Sequence, residues 1–552
     1  LLFSVFSFLL GKNSAFHRKQ KTENKKLTVD KMGRAKKVIP LETPGRLWEP
    51  VHTPSRFRMP LSKYRVWRNE SRCLKCGRCV EVCPYGVFTR AGSYLRRPQS
   101  YLCLGLACQD RPYFCVQHCP GQALRVSVHP VYHTLGDRRW TADLLLSTWW
   151  QAEWGKLPYQ DLEYRIGDSG GGFDRLRFLF PTRLPDFKLR HEDISLDLEL
   201  NRRRDGRPLL TLSVPFYSAG MSFGSVSINT ILARVKTAVR FNTLLSTGEG
   251  GYPEELYPYD DHVITQVATG LFGVREETIQ RVRLVEFKYA QGAKPGLGGH
   301  LLGDKVTPAV ARMRESVTGS ALFSPFPFHS VYSVEDHKKH LDWIKEVNPR
   351  ALVAVKVSTP TDVDMVAVGS FYAGAHVLQL DGSYGGTGAA PDIAKKNIAM
   401  PLEYAIPKVH QFLRAEGIRE QLTLIASGGI RTAFDVAKAI ALGADGVQIG
   451  TAELVALECL RCHNCESGRG CARGIATTDP ELVDLMTVPW GANRVSNLYA
   501  SWTWQLKEIL RRLGLHSLRE LVGRTDTLVH LDYFDRPVDD DIRPRQPVGG
   551  EK

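Results

Sequence analysis

Twelve cysteines supply the most specific chemistry in this sequence, and they fall in two tight groups, eight between Cys73 and Cys119 and four between Cys459 and Cys471. The run Cys73-Leu-Lys-Cys76-Gly-Arg-Cys79-Val-Glu-Val-Cys83-Pro84 has the C-x2-C-x2-C-x3-C-P spacing that holds [4Fe–4S] clusters. Three thiolates two residues apart can wrap one face of a cube, while the fourth, turned away at the proline, reaches a second cube. Cys103, Cys108, Cys115 and Cys119, the last again followed by proline, supply the other ligands. The usual crossing-over gives Cys73, Cys76, Cys79 and Cys119 to one cluster and Cys83, Cys103, Cys108 and Cys115 to the other. Zinc favours paired C-x2-C knuckles with His and fits eight such thiols poorly. In the second group, Cys459, Cys462, Cys465 and Cys471, an iron–sulfur cluster is the leading reading; zinc is the runner-up, because His463 and a C-x2-C pair would suit it.

A second set of residues is suited to binding anions. Lys356 lies inside Val353-Ala-Val-Lys-Val357, an apolar strand pattern, where an ammonium is costly unless it meets an anion such as the N1 side of a reduced flavin. The bland alternative is a strand-end lysine snorkelling to water. Lys288-Tyr-Ala-Gln291-Gly-Ala-Lys294-Pro-Gly-Leu-Gly-Gly299 places two lysines and a glutamine on glycine-loosened backbone, a grip for a dicarboxylate, although an exposed loop has a similar composition. Ser427-Gly428-Gly429 and Gly450-Thr451 each follow an apolar strand and open a helix, and two such amide-rich starts one unit apart form a phosphate site. Asp381 to Gly388 reads as a strand-end loop passing close to a flavin or substrate. No strand-G-x-G-x-x-G-helix unit occurs, which argues against a nicotinamide-binding domain in this chain.

The elements that must position these residues alternate. Strands are expected at Leu209–Val214, Leu284–Tyr289, Leu352–Val357, Val377–Leu380, Leu422–Ala426 and Gly446–Ile449. Helix-period segments run over Val334–Val347, Asp362–Tyr372, Leu402–Ala415 and Ala433–Leu442. Repeated strand–helix units favour an α/β fold, a parallel (β/α)8 TIM barrel with its chemistry at the strand C-termini, with a small iron–sulfur module ahead of it. The organisation expected is a basic tail over 1–60, the cluster module over 61–130 and a linking segment over 131–200 packed on the barrel, with Trp140, Trp149, Trp150 and Trp154 as core. The barrel follows over 201–458, then the cluster loop over 459–480, a helical segment over 481–535 with an amphipathic helix at Val495–Gly514, and a disordered tail over 536–552.

Composition sets the class. The 552 residues are 43% hydrophobic and 24% charged, as in an ordinary globular protein. The net charge of +15 is concentrated in residues 1–70, with 16 Lys/Arg against 5 Asp/Glu, so it is mostly a tail rather than a nucleic-acid footprint. The tail reads as a solvated arm, with docking to an acidic electron carrier as the sharper alternative. The apolar stretch Leu1–Leu10 is too short to span a membrane, and Met32 offers a more ordinary start, which makes residues 1–31 a possible upstream extension. Clustered thiols without a secretion signal point to a reducing compartment, the cytoplasm.

Several segments together resemble the FMN-binding synthase domain of glutamate synthases: Ser218–Gly224, Ser246–Gly251, Lys288–Gly299, Asp381–Gly388, Cys459–Thr477 and Leu518–Thr525. The similarity spans about residues 165–530, and the ferredoxin-like module ahead of it resembles the compact, archaeal-type members that lack a fused glutaminase. The resemblance implies that 2-oxoglutarate and ammonia form 2-iminoglutarate, which reduced FMN converts to L-glutamate, with electrons arriving singly through two [4Fe–4S] clusters and a third cluster. It maps Met221, Ser222, Lys356, Asp381, Gly428, Gly429, Gly450 and Thr451 to the FMN side. To the substrate side it maps Glu249, Lys288, Gln291 and Lys294, with Lys294 and Gln291 on the oxo acid and Glu249 handling ammonia or a proton.

Three departures qualify the match. The family's [3Fe–4S] cluster uses three cysteines, matched here by Cys459, Cys465 and Cys471; Cys462 is extra and would permit [4Fe–4S]. No N-terminal nucleophilic cysteine is present for glutamine hydrolysis, so ammonia is free or comes from a separate glutaminase subunit. The reductant is external, a ferredoxin or an NAD(P)H-oxidising flavoprotein. The rival readings are an N-methylglutamate synthase subunit using methylamine and a non-catalytic electron-transfer subunit, the latter disfavoured because a conduit needs no substrate grip.

Overall fold

The computed structural model describes residues 48–57, 63–157, 172–387, 390, 398–466 and 469–532. The expected tail over 536–552, most of the basic tail, and Gly388 lie outside the described residues. Eight parallel strands close into a barrel: β1 Phe216–Ser218, β2 Leu245–Ser246, β3 Val263–Ala268, β4 Leu284–Lys288, β5 Leu352–Ser358, β6 Val377–Asp381, β7 Thr423–Ser427 and β8 Gly446–Ile449. Each pairs with its sequence neighbour, and β8 pairs with β1. Every residue of β3, β6, β7 and β8 is buried, the pattern of strands covered on both faces.

Five of the expected strands belong to the barrel. Leu209–Val214 does not: only Thr211–Leu212 is extended there, and it pairs antiparallel with Leu198–Glu199. Leu198, Leu200, Leu210 and Leu212 pack against Ile264, Leu284, Leu352 and Val377, so this hairpin plugs the N-terminal end of the barrel. Strands β1 and β2 are too short to show an alternating pattern, and β3 carries Thr265 and Gln266 inside an apolar run.

The helices carry clear signals. Val334–Val347 begins at Ser333, whose side chain accepts from the Asp336 amide, and Ala433–Ala441 begins at Thr432, which caps Asp435 in the same way. The amphipathic helix starts earlier than expected, running over Val488–Leu513 with proline in its first turn and Gly514 ending it at φ 72°. It lies against Ile228–Arg240 and Ala142–Trp154, and Trp140 and Trp149 enter the main core.

Residues 48–57 correct the idea that the whole of 1–60 is a solvated arm. The Thr53 amide donates to the Glu153 carbonyl at 3.0 Å, the Val51 amide to Asn497 Oδ1 at 3.1 Å, and Arg56 pairs with the buried Glu458 at 3.2 Å. These are long-range polar contacts, which periodicity does not encode.

Candidate active site and iron–sulfur cavities

At the C-terminal mouth of the barrel, loops from different strands bring together the residues that the resemblance maps to the substrate side. Lys288, the last residue of β4, donates from Nζ to Glu249 Oε2 at 3.0 Å and lies 3.4 Å from Gln291 Oε1. Ser324 donates to Glu249 Oε1. Burial works to raise the Glu249 pKa, but Lys288, Ser324 and Lys294 outweigh it and hold the carboxyl below its ordinary value. Lys294 is buried, and that burial, with Lys288 nearby, pushes its ammonium down to about 8. The loop crosses this cluster closely: a Cβ at Gly299 would lie 1.9 Å from Glu249 Oε1, so only glycine fits.

The residues that the resemblance maps to the flavin side stand around the same mouth. Lys356 of β5 is the register partner of Lys288, and its ammonium meets Asp381 at 3.7 Å, beyond hydrogen-bond length. Asp381 instead accepts from Ser427 Oγ and, at 2.8 Å, from the Gly292 amide. After β7, Gly428 and Gly429 adopt φ 100° and 89°, and a Cβ on either would meet Gly382 or Tyr384 within 2.9 Å. After β8, Gly450 lies beside Ala219 and Met221, and Thr451 Oγ1 beside Gly386. A buried, loosely held lysine facing a glycine-built rim is a chemical match for a phosphorylated, anionic cofactor. Ser222 accepts from Arg314 Nη2 at 2.9 Å.

Several buried polar side chains around the site were not anticipated from the sequence. Arg314 is buried beside Glu249 and held at about 10, mainly by burial. Below the mouth, Glu286 accepts from Gln266 and from Gln448 at 3.4 Å, and Gln379 donates to Gln448, forming a buried polar belt. Its signal was present in the sequence: each is a polar residue inside a mostly apolar strand, the pattern that singled out Lys356. At the β8–β1 seam, Glu453 accepts from Arg234 at 2.7 Å, from Tyr499 at 2.5 Å and from Ser218. Lys305, buried and without a hydrogen-bond partner among the described residues, lies 3.8 Å from Glu466 and acts electrostatically on Cys465.

Eight of the thiols line two cavities. One cavity is lined by Cys73, Cys76, Cys79 and Cys119, and another by Cys83, Cys103, Cys108 and Cys115. Among the described residues, no three His, Cys, Asp or Glu side chains converge closely enough to hold a metal ion. The first cavity is opened by left-handed Lys75 and Gly77 at φ 55° and 81°; the second is walled by Val87, Phe88 and Phe114. Burial, with the neighbouring cysteines, pushes the Cys115 thiol up to about 12. In the later loop, Cys459, Cys465 and Cys471 pack on the main core while Cys462 is exposed, and Glu458, Arg461 and His463 are all left-handed, at φ 77°, 60° and 61°.

A closed parallel barrel joined to thiol-lined cavities defines an iron–sulfur oxidoreductase. A family model described as "Conserved region in glutamate synthase" matches residues 186–516, and one for a 4Fe–4S binding domain matches residues 66–89. The archaeal-type glutamate synthase [NADPH] of Thermotoga maritima is 37% identical over 495 residues, covering 84% of this chain and 94% of that one. The archaeal glutamate synthase [NADPH] of Methanocaldococcus jannaschii is 37% identical over 488 residues with the same coverage. A flavocytochrome b2 variant with sulfite bound aligns at TM-score 0.41 and 16% identity over 69% of this chain and 84% of its own. The chain belongs to the glutamate synthase family. No described helix is long and apolar enough to cross a membrane.

Proposed function

We propose that this chain catalyses the reductive amination of 2-oxoglutarate to L-glutamate, using FMN at the barrel mouth, two [4Fe–4S] clusters in the module and a [3Fe–4S] cluster on Cys459, Cys465 and Cys471. The observation that carries it is the meeting of Glu249, Lys288, Gln291 and Lys294 from two separate loops beside Lys356 and the glycine rim. A pure electron conduit has no use for such a grip. When bound, reduced FMN supplies the hydride and the clusters supply its electrons. Met221, Ser222, Gly428, Gly429, Gly450 and Thr451 would hold the FMN, with Lys356 and Asp381 at its ring.

The protein's own part is electrostatic. Lys294 binds a carboxylate of the dicarboxylate, and Gln291 donates from Nε2 to the 2-oxo group. Glu249, kept anionic by Lys288 and Ser324, attracts ammonium and accepts its proton at Oε2, leaving ammonia to attack C2. The added nitrogen passes one proton to the oxygen at C2, and Lys288 Nζ, already hydrogen-bonded to Glu249 Oε2, passes a second, so water leaves; the iminium nitrogen returns a proton to Lys288 and 2-iminoglutarate remains. Hydride addition at C2 and one proton complete L-glutamate. Exposure of Cys462 beside three core-packed thiols favours the three-ligand cluster. Ammonia arrives free or from a glutaminase subunit; the relatives' NADPH would reach the clusters through a separate donor protein, and the cytoplasm suits such thiol ligation.

Anaerobic holoprotein with a low-potential donor, 2-oxoglutarate and ammonium is expected to form glutamate. Turnover with methylammonium but not ammonium would replace this reading by the N-methylglutamate one, and donor oxidation by the clusters without consumption of either amine would leave only the conduit.

A further inference from the structure

The two thiol-lined cavities differ in where they sit along the module. The antiparallel pair Tyr64–Arg68 and Leu124–Val128 runs through it, with Arg68 opposite Leu124 at one end and Tyr64 opposite Val128 at the other. Val128 leads into the Pro130–Thr134 turn and then to the barrel side, where the Gly136 amide donates to the Leu460 carbonyl at 3.2 Å and Arg461 pairs with Asp137 at 2.8 Å. The cavity of Cys83, Cys103, Cys108 and Cys115 is lined by Val126 and by Gly105, which abuts Tyr64. The cavity of Cys73, Cys76, Cys79 and Cys119 is lined by Arg68, Ala123 and Leu124, at the end of the ladder away from the barrel. Cys103 and Cys108 are buried, whereas Cys76 is exposed.

The surface around exposed Cys76 is cationic. Residues 63–128 carry eleven Lys/Arg against three Asp/Glu. Arg72 and Lys75 are exposed within the cysteine run, and Arg90 reaches over it, donating to the Lys75 carbonyl at 3.0 Å. None of these three makes an ion pair among the described residues, while Arg78 is paired with Glu81 at 3.3 Å. Leu74, 68% exposed, stands among them. Unpaired cations around one apolar side chain steer an acidic partner and release it readily, the anatomy of a transient electron-transfer contact rather than of a large apolar permanent interface.

We propose that this outer face, centred on Leu74, Lys75 and Cys76 and ringed by Arg72 and Arg90, is the docking surface for a small acidic electron-carrier protein of ferredoxin type. This rests on the proposed function for its clusters. Each encounter moves one electron from the carrier's reduced centre, which is thereby oxidised, to the cluster of Cys73, Cys76, Cys79 and Cys119. The inner cluster passes it toward Cys459–Cys471, and two encounters supply the pair of electrons that one glutamate consumes.

The test is stopped-flow reduction of the anaerobic full-chain holoprotein by a prereduced small acidic [4Fe–4S] ferredoxin, with photoreduced deazaflavin, a neutral reductant, as the control. The wild-type rate with ferredoxin should fall on the order of tenfold between low and physiological ionic strength, and R72E/K75E should lose about as much at low salt. Arg90→Glu, outside the cysteine run, should show a smaller loss in the same direction, with iron content checked in each variant. The deazaflavin rates should stay unchanged, as should the ferredoxin rate of Lys339→Glu, a reversal on the exposed side of the Val334–Val347 helix. Ferredoxin rates independent of both salt and these variants would overturn the proposal. So would failure of ferredoxin to reduce clusters that deazaflavin reduces, which would point to a flavoprotein subunit. Absence of glutamate with deazaflavin as donor would sink the proposed function while leaving the docking rates as they stand.

Discussion

The barrel and the iron–sulfur module solve the problem of stability in opposite ways. The barrel surrounds a continuous core in which strands such as Leu352–Val357 are buried along their length, and hydrophobic burial suffices to hold it. The module's main apolar cluster is small, Val66, Val87, Phe88, Leu102, Cys103 and Leu124, with Leu95, Cys108, Phe114 and Ala123 buried around it and two short strand pairs in support. A core so thin needs cross-links, and eight thiols around two cavities are positioned to supply them through iron. The barrel is held by its own apolar core; the module is expected to draw part of its stability from bound iron.

Removing iron should break this symmetry most visibly. Anaerobic chelation is expected to leave residues 63–128 open to rapid proteolysis while the barrel resists, as peptide mapping would show; simultaneous loss of both would end the distinction. On the barrel side, Lys294→Ala should lower glutamate formation by about 100-fold or more, the scale for losing one charge-assisted contact in a dry site, with bound flavin intact by its visible spectrum. Arg234→Met strands the Glu453 carboxylate, whose pair is fully buried, and should destabilise the barrel by about 3–5 kcal/mol in denaturant melts while the cluster spectra persist. The smallest effect is a titration. Because Lys294 ionises at about 8, its positive charge is present below that pH and lost above it, so KM for 2-oxoglutarate should rise several-fold as pH climbs past about 8. Lys294→Arg should flatten the rise; a wild-type KM that stays level would exclude Lys294 as the carboxylate ligand.

Legibility followed the range of the interaction. Cysteine spacing, the capped helices at Ser333 and Thr432 and the long apolar strands from Leu284 onward are local patterns, and each could be read directly. The loop Lys288–Gly299 was recognisable because its residue types are expensive or useless elsewhere. Strands β1 and β2, three and two residues long, fall below the length at which alternation means anything. Leu209–Val214 has a strand's pattern yet serves as a barrel plug, because being apolar does not specify which apolar surface covers it. Arg314 occupies the buried phase of Pro308–Arg314 after Val310 and Ala311, a signal passed over because arginine on a helix usually faces water.

The sequence by itself determined the chemistry available: which thiols can bind iron, which glycines can approach an anion, and which lysines would be costly in a strand. Those are properties of residue type and short spacing. Only the tertiary structure decided who meets whom. It brought Glu249 within 3.0 Å of Lys288, set the outer cysteine cavity at the far end of its ladder, and left Cys462 outside the core that holds Cys459, Cys465 and Cys471. The reason is physical: closing a barrel fixes distances between residues far apart in the chain, and no local preference carries that information.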